Sequence, residues 1–173
     1  MKRTVYMLAA ALLPVDYVRL PRALARLWRN ERPDTWILTG ESGRGDALRV
    51  ERVAINLIDA PLPDNAGRRR RDAPVVRGGP AAYFATVDVR AAVRALERGG
   101  VRAIVSLSAG SYCCNQAFYV ARHLAATSRR AGAKRARIVF LHVPRLALSR
   151  SRPAPRLDAA AAGLLQLVQA LAR

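Results

Sequence analysis

This sequence has little cysteine, little acidic charge and no long apolar run. The shortage of cysteine and the lack of a long apolar run each exclude a class of protein. Its two cysteines, Cys113 and Cys114, are neighbours, and neighbouring cysteines can form a disulfide bond only with strained geometry. A disulfide-stabilised secreted fold is therefore excluded, and a reducing compartment, the cytoplasm, is expected. No apolar run reaches the ~20 residues that cross a bilayer, so no membrane partner is expected.

Positive charge, by contrast, is abundant. The chain carries 30 Lys and Arg against 12 Asp and Glu, for a formal net charge of +18. Such an excess is typical of nucleic-acid-binding proteins. Here 28 of the basic residues are Arg and they are scattered over every segment, which is a pattern of biased composition rather than a binding stripe. We expect no nucleic acid partner, and a basic binding protein stays as the alternative.

The N-terminal residues allow two interpretations. Lys2 and Arg3 precede an apolar stretch, residues 5–13, and this order resembles a short signal peptide. However, no small-x-small cleavage pattern precedes Pro14, and cleavage would remove residues 4–15, which we interpret as a core strand. We therefore favour the strand.

Apolar runs alternate with helical periods along the rest of the chain, which predicts a single α/β domain over residues 1–173. The strand patterns cover residues 35–39, 49–57, 83–87, 103–107 and 136–143. The helical patterns cover residues 21–32, 89–98, 115–130 and 159–171, with Asp88 and Asp158 as N-caps. This order predicts a largely parallel sheet with helices on both faces.

Three segments are predicted to be loops. Residues 40–46 are glycine-rich but lack the GxxxxGK[ST] pattern of a phosphate-binding loop. Residues 59–79 hold many turn formers and predict a long surface excursion, in which the four arginines 68–71 are interpreted as solvated. Residues 149–156 are rich in Pro and Arg.

The most reactive position follows the strand at residues 103–107. Small residues, 108–111, end that strand, and Cys113 and Cys114 come just before a helical pattern. The free N–H groups and the positive end of a helix favour a thiolate at such a position. The same N–H groups can stabilise a developing oxyanion. A thiol at this turn is therefore a candidate nucleophile, although a buried structural cysteine is the commoner case.

Three other side chains are candidates for acid–base chemistry. His142 ends a predicted strand, so it and Cys114 are expected to meet where carboxyl ends of strands share one edge of the sheet. Glu51 interrupts an apolar strand and is either an edge residue or a buried, partnered carboxylate. His123 lies in a helical pattern and is interpreted as structural. Spacing alone leaves a catalytic and a structural interpretation of the Cys–His pair open.

Five segments, in order, resemble the pyroglutamyl peptidase I (pyrrolidone-carboxylate peptidase) family of cysteine peptidases. They are VERVAINL (residues 50–57), PDNAG (63–67), GGPAAYF (78–84), SAGSYCCN (108–115) and LHVP (141–144). The resemblance runs from about residue 12 to the C-terminus. Many separate motifs in one order make it specific.

The resemblance implies a fold, an activity and a site. The fold is a three-layer α/β/α sandwich with a mostly parallel mixed sheet, often assembled as a tetramer. The activity is removal of an N-terminal pyroglutamyl residue from peptides, with no cofactor and no metal. The implied catalytic triad is Cys114, His142 and Glu51. The positions implied to contact the substrate ring are Glu41, Leu62, Tyr112 and Cys113.

The sequence also departs from the family pattern. The family begins with a strand and a Gly-Phe-x-Pro-Phe loop that line the ring pocket, and this chain is predicted to be a truncated member that starts after them. Its glycine-rich loop interchanges the Gly and Arg of GxAGGR, and Pro61 stands where an arginine is common. Whether Arg44 supplies that cation stays open. The alternative function is a degenerate homologue with weak or no peptidase activity.

Overall fold

The computed structural model describes residues 7–43, 45–145 and 157–172. The helices in this part of the chain are α1 (Arg19–Glu31), α2 (Val89–Arg98), α3 (Cys113–Thr127) and α4 (Leu157–Leu171), with a 3₁₀ turn at Ala133–Arg135. The strands are β1 (Thr35–Ser42), β2 (Leu48–Glu51), β3 (Val53–Ile55), β4 (Ala82–Phe84), β5 (Ala103–Ser106) and β6 (Arg137–Pro144).

Four of these strands form one mixed sheet in the order β1-β6-β2-β5. The β1–β6 and β2–β5 pairs are parallel, whereas β2 and β6 run antiparallel. Strands β3 and β4 form a separate antiparallel pair. The prediction of a mostly parallel mixed sheet is confirmed.

Helices cover both faces of the four-stranded sheet, and each face has its own apolar core. On one face, α1 and α3 pack against Leu38, Ile138 and Phe140. On the other, α2 and α4 pack against residues that alternate with these along the strands, such as Val139 and Leu141. Alternation along a strand sends successive side chains to opposite faces. The molecule is therefore a three-layer α/β/α sandwich, as predicted.

Aspartate side chains accept hydrogen bonds from the first N–H groups of two helices. Asp88 accepts hydrogen bonds from the N–H groups of Arg90 and Ala91 at the start of α2, which confirms its prediction as an N-cap. Asp16 does the same for Val18 and Arg19 at the start of α1. No helix in the described ranges is long and apolar enough to span a bilayer.

Several predicted boundaries were wrong. Strand β1 continues to Ser42, so the first residues of the predicted glycine-rich loop lie in the sheet. The strand predicted at residues 49–57 is two strands that belong to different sheets, with Arg52 between them. The described part of the predicted N-terminal strand, residues 7–15, contains no strand, and Leu12 is fully exposed. The predicted loop at residues 149–156 lies outside the described residues.

The interpretation of the four arginines as solvated was also wrong for at least one of them. Arg68 forms an ion pair with Asp16 at 3.1 Å, and Asp64 accepts hydrogen bonds from the N–H groups of Tyr17, Ala66 and Arg68. Both carboxylates are almost fully buried. Buried carboxylates need such partners, and this requirement fixes the loop against the start of α1.

Candidate functional site

Cys114 lies in the first turn of α3, above strand β1. Its sulfur would be 2.9 Å from a Cβ atom added to Gly40, and the ring of Phe140 would be 3.0 Å from the same atom. Gly40 therefore provides the space that the Cys114 thiol occupies. The N–H groups of a first helical turn have no acceptor within the helix, and Cys114 is a residue of that turn.

Replacement of Gly40 tests this close approach. We expect Gly40→Ala to displace the Cys114 sulfur and to lower kcat/KM about 100-fold, because a shift of about 1 Å in a reacting group can cost that much. Gly43→Ala is the matched control, since a Cβ there has no atom within 4 Å and its φ is not positive. Steady-state kinetics would measure both, with a pyroglutamyl amide, the kind of substrate that the family resemblance implies. Equal activity of the two variants would contradict the argument.

His142 and Glu51 form a hydrogen-bonded pair beneath this thiol. His142 Nδ1 lies 2.8 Å from Glu51 Oε1, and the two side chains are 12% and 0% exposed. The second carboxylate oxygen, Oε2, is buried and has no hydrogen-bond partner among the described residues. A buried carboxylate beside an imidazole orients the ring and favours its protonated form.

The pKa of His142 is raised from 6.5 to about 9. Burial acts to lower it, but the neighbouring Cys114 sulfur and the hydrogen-bonded Glu51 carboxylate outweigh burial and raise it. Since Nδ1 is occupied by Glu51, the other ring nitrogen, Nε2, is the one available to the Cys114 thiol. The structure therefore places the three groups close together: the imidazole is hydrogen-bonded to the carboxylate, and the thiol lies against Gly40, the residue opposite His142 in the neighbouring strand.

The reason given above for the meeting of Cys114 and His142 was wrong. Strand β5 runs parallel to β2, and β2 runs antiparallel to β6, so the carboxyl ends of β5 and β6 point to opposite edges of the sheet. Residues 107–112 instead return the chain across the sheet face to Gly40. The thiol and the imidazole meet over the face of the sheet, on the side covered by α1 and α3.

Cys113 lies in a different environment from its neighbour, Cys114. It is 6% exposed and packs in the core formed with α1. Burial, with the nearby Cys114 as a second cause, raises the pKa of the Cys113 thiol to about 12. Cys113 is therefore a neutral thiol at physiological pH and is far less suited to nucleophilic attack than Cys114.

Asn115 fixes the start of α3, a role that the sequence reasoning missed. Its fully buried amide accepts from the Ile55 N–H at 2.9 Å and donates to the carbonyls of Ile55 and Leu57 at 2.9 and 3.0 Å. These bonds join the helix that carries Cys114 to strand β3. The only sequence indication was an amide residue directly after the candidate nucleophile.

Removal of this amide should be strongly destabilising. We expect Asn115→Ala to lower the free energy of unfolding by about 3 kcal/mol, because three backbone groups of the half-buried Ile55 and Leu57 lose their partners. Urea denaturation would measure the change. Asn30→Ala, at an exposed position of α1, should stay within about 0.5 kcal/mol of the unmodified protein and serves as the control. Similar losses in both variants would refute the assigned role.

The predicted ring-contacting residues fall into two groups. Tyr112 donates a hydrogen bond to the Pro63 carbonyl at 2.8 Å, which holds the segment bearing Leu62 against the turn that precedes Cys113. The side chain of Leu62 is 67% exposed there. Glu41, by contrast, lies on β1 between residues that face the thiol, so it points to the other face, where Arg145 is 3.4 Å away. The structure does not bring Glu41 to the cluster.

Two further expectations concern His123 and Arg44. His123 Nδ1 lies 3.0 Å from the Tyr83 hydroxyl, in a ring cluster that joins α3 to β4 and agrees with a structural role. Arg44 lies outside the described residues. Across the described ranges, no group of three His, Cys, Asp or Glu side chains is placed to hold a metal ion.

An α/β/α sandwich with a thiol, an imidazole and a carboxylate in contact has the architecture of a cysteine hydrolase. A family model described as pyroglutamyl peptidase matches residues 3–160. The chain belongs to the pyroglutamyl peptidase family, which is a family of hydrolases.

Relatives of known name agree with this assignment. The pyrrolidone-carboxylate peptidase of Thermococcus kodakarensis is 43% identical over 158 residues, which cover 88% of this chain and 73% of the relative. The corresponding protein of Clavibacter michiganensis is 42% identical over 161 residues, with 91% and 73% coverage.

Solved structures of the same family have the same fold. Pyroglutamyl peptidase I from Bacillus amyloliquefaciens superposes with a TM-score of 0.84 at 29% identity, over 92% of this chain and 76% of that chain. Pyrrolidone carboxyl peptidase from Thermus thermophilus gives a TM-score of 0.78 at 38% identity, with 91% and 79% coverage.

Proposed function

We propose that this chain removes the pyroglutamyl residue from the N-terminus of peptides, with Cys114 as the nucleophile, His142 as the acid–base group and Glu51 as the group that orients His142. The observation that carries the proposal is the hydrogen bond between His142 and the buried Glu51 carboxylate, beside the Cys114 sulfur, which lies against the residue opposite His142 in the neighbouring strand. Membership of the pyroglutamyl peptidase family supports the substrate class.

The arrangement suits acyl transfer in two steps. The Cys114 thiolate attacks the carbonyl carbon of the pyroglutamyl residue, and the N–H groups at the start of α3 stabilise the oxyanion. The His142 imidazolium then donates its proton to the departing amine, and the C–N bond breaks. In the second step, His142 takes a proton from water, which attacks the thioester and releases free pyroglutamate and the thiol.

The ring itself needs apolar walls and few polar contacts, because a pyroglutamyl ring is small, flat and neutral. Leu62 and Tyr112 border the turn before Cys114 and supply such walls, with Cys113 behind them in the core. A peptide without the lactam would leave polar groups of the site unpaired, and this penalty excludes free amino termini.

Hydrolysis of a fluorogenic pyroglutamyl amide by the purified chain tests the proposal. A prolyl amide of the same fluorophore is the control, since it keeps the five-membered ring and lacks the lactam carbonyl. We expect turnover of the first alone. A folded protein that turns over neither amide would favour the alternative of a degenerate homologue. Light scattering of the same sample would test the tetramer that the family resemblance predicts.

A further inference from the structure

A single row of residues crosses the sheet through the candidate site. In register from β1 to β5, this row is Gly40, His142, Arg49 and Ile104. All four lie on the face covered by α1 and α3. In β2, β5 and β6 the residues that alternate with them belong to the core of the other face, and Gly40 lies against the Cys114 sulfur. Adjacent strands lie about 5 Å apart, so the row extends from the thiol to the open edge of β5.

Arg49 is the unexplained member of this row. The residue is half-buried, and its guanidinium forms no hydrogen bond or ion pair with any other described residue. One guanidinium nitrogen, Nη2, lies 3.7 Å from where a Cβ of Gly45 would be, so the charged end lies beside the loop that joins β1 to β2. A half-buried cation without a partner is costly to desolvate, and an anionic ligand would offset this cost.

The acidic residues nearest in sequence have other partners. Asp46 binds Arg102 at 2.7 Å, and Glu41 binds Arg145 at 3.4 Å from the opposite face. Glu51, the acid two residues along the same strand, pairs with His142. No described carboxylate therefore neutralises Arg49.

The chemistry of the proposed reaction predicts on which side of the thiol, along this row, the leaving peptide lies. The acyl carbon bonds to the Cys114 sulfur, above Gly40, and the departing amine receives its proton from His142. The peptide that leaves must therefore continue on the His142 side, away from the thiol. The next side chain in the row on that side is Arg49. Beyond it lies Ile104, which is 39% exposed.

We propose that Arg49 binds an acidic side chain on the residue that follows pyroglutamate, so that the chain prefers peptides beginning pyroglutamyl-Glu or pyroglutamyl-Asp. This inference rests on the proposed peptidase function and names its substrate class. A guanidinium pairs well with a carboxylate because its planar donors match the two oxygens. The apolar Ile104 is placed to contact the residue after the acidic one.

Three capped peptides that differ in one side chain test the preference. They are pyroglutamyl-Glu-Ala-amide, pyroglutamyl-Gln-Ala-amide and pyroglutamyl-Lys-Ala-amide, and chromatography of the released dipeptide amide gives kcat/KM for each. Glu and Gln have the same shape, so their ratio reports the charge alone. We expect the Glu peptide to be preferred about fivefold over Gln at low salt, with a smaller ratio at 0.5 M salt. The Lys peptide should be the poorest substrate.

Variants then assign the preference to one residue. Arg49→Gln and Arg49→Thr should bring the Glu/Gln ratio to about one, whereas Arg49→Lys should keep most of it. Arg94→Gln removes one exposed positive charge from α2, on the other side of the sheet, and should leave the ratio unchanged. An unchanged ratio in the neutral Arg49 variants, or a ratio near one in the unmodified protein, overturns the proposed preference for an acidic residue and leaves the proposed peptidase function standing. Absence of turnover of all three peptides by folded protein overturns the proposed function itself.

Discussion

Cys114→Ala is expected to lower kcat/KM for a pyroglutamyl amide by about 10⁴-fold or more, while Cys113→Ala keeps most of the activity. The two residues are adjacent and chemically identical, so the contrast depends only on where the fold places them. Cys114 lies against Gly40, which is the residue opposite His142 in the neighbouring strand, and it helps to raise the pKa of His142. Cys113 is buried in the core, and the pKa of its thiol is raised to about 12.

Alkylation provides a measurement independent of turnover. Iodoacetamide should modify Cys114 much faster than Cys113, because Cys114 lies near the His142 imidazolium, whereas Cys113 is buried in the core. Peptide mapping of briefly treated protein distinguishes the two sites. Equal loss of activity in the two alanine variants, or preferential labelling of Cys113, would mean that the nucleophile has been wrongly assigned.

The sequence was sufficient to predict the layers and the helices, and the physical reason is periodicity. Helix α2 shows this well, since Asp88 and the apolar stripe that follows it define both its start and its buried face. Strand direction was not predictable in the same way. A buried strand such as β6 has the same apolar pattern whichever way it runs, so the antiparallel pairing of β2 and β6 became apparent only in the folded chain.

The residues of the candidate site were likewise predictable only in part. Family resemblance, not spacing, predicted that Cys114, His142 and Glu51 belong together, and the three side chains are in contact. Arg49 was missed because its position depends on register: nothing local in the sequence places it opposite His142. Glu41 was assigned to the ring pocket from the motif alone, and the alternation of β1 turns it to the other face.

The imidazolium form of His142 should set the alkaline limit of activity. Its pKa is raised to about 9, and the proposed mechanism needs the protonated ring to release the amine. Below this pH the ring carries its proton, so kcat/KM should fall as the pH rises through about 9, about tenfold per pH unit beyond it. The pH dependence of kcat/KM between pH 6 and 10.5 would measure this decline, the alkaline limb of the pH profile. A limb near pH 6.5 would show that the thiol and the carboxylate do not stabilise the cation.

Glu51→Gln should change both the position of this limb and the rate. The amide keeps the size of the side chain but lacks the charge that helps to raise the pKa of His142, so the limb should move to lower pH. The amide can also present an N–H to Nδ1 and so select the wrong ring tautomer, and we expect a loss of about 10³-fold or more in kcat/KM. Asp59→Asn is the matched control, since it neutralises an exposed carboxylate that pairs only with the exposed Arg71 among the described residues. A limb that stays near pH 9 in Glu51→Gln would leave Cys114 alone responsible for the raised pKa, and the carboxylate would then have no part in the acid–base chemistry.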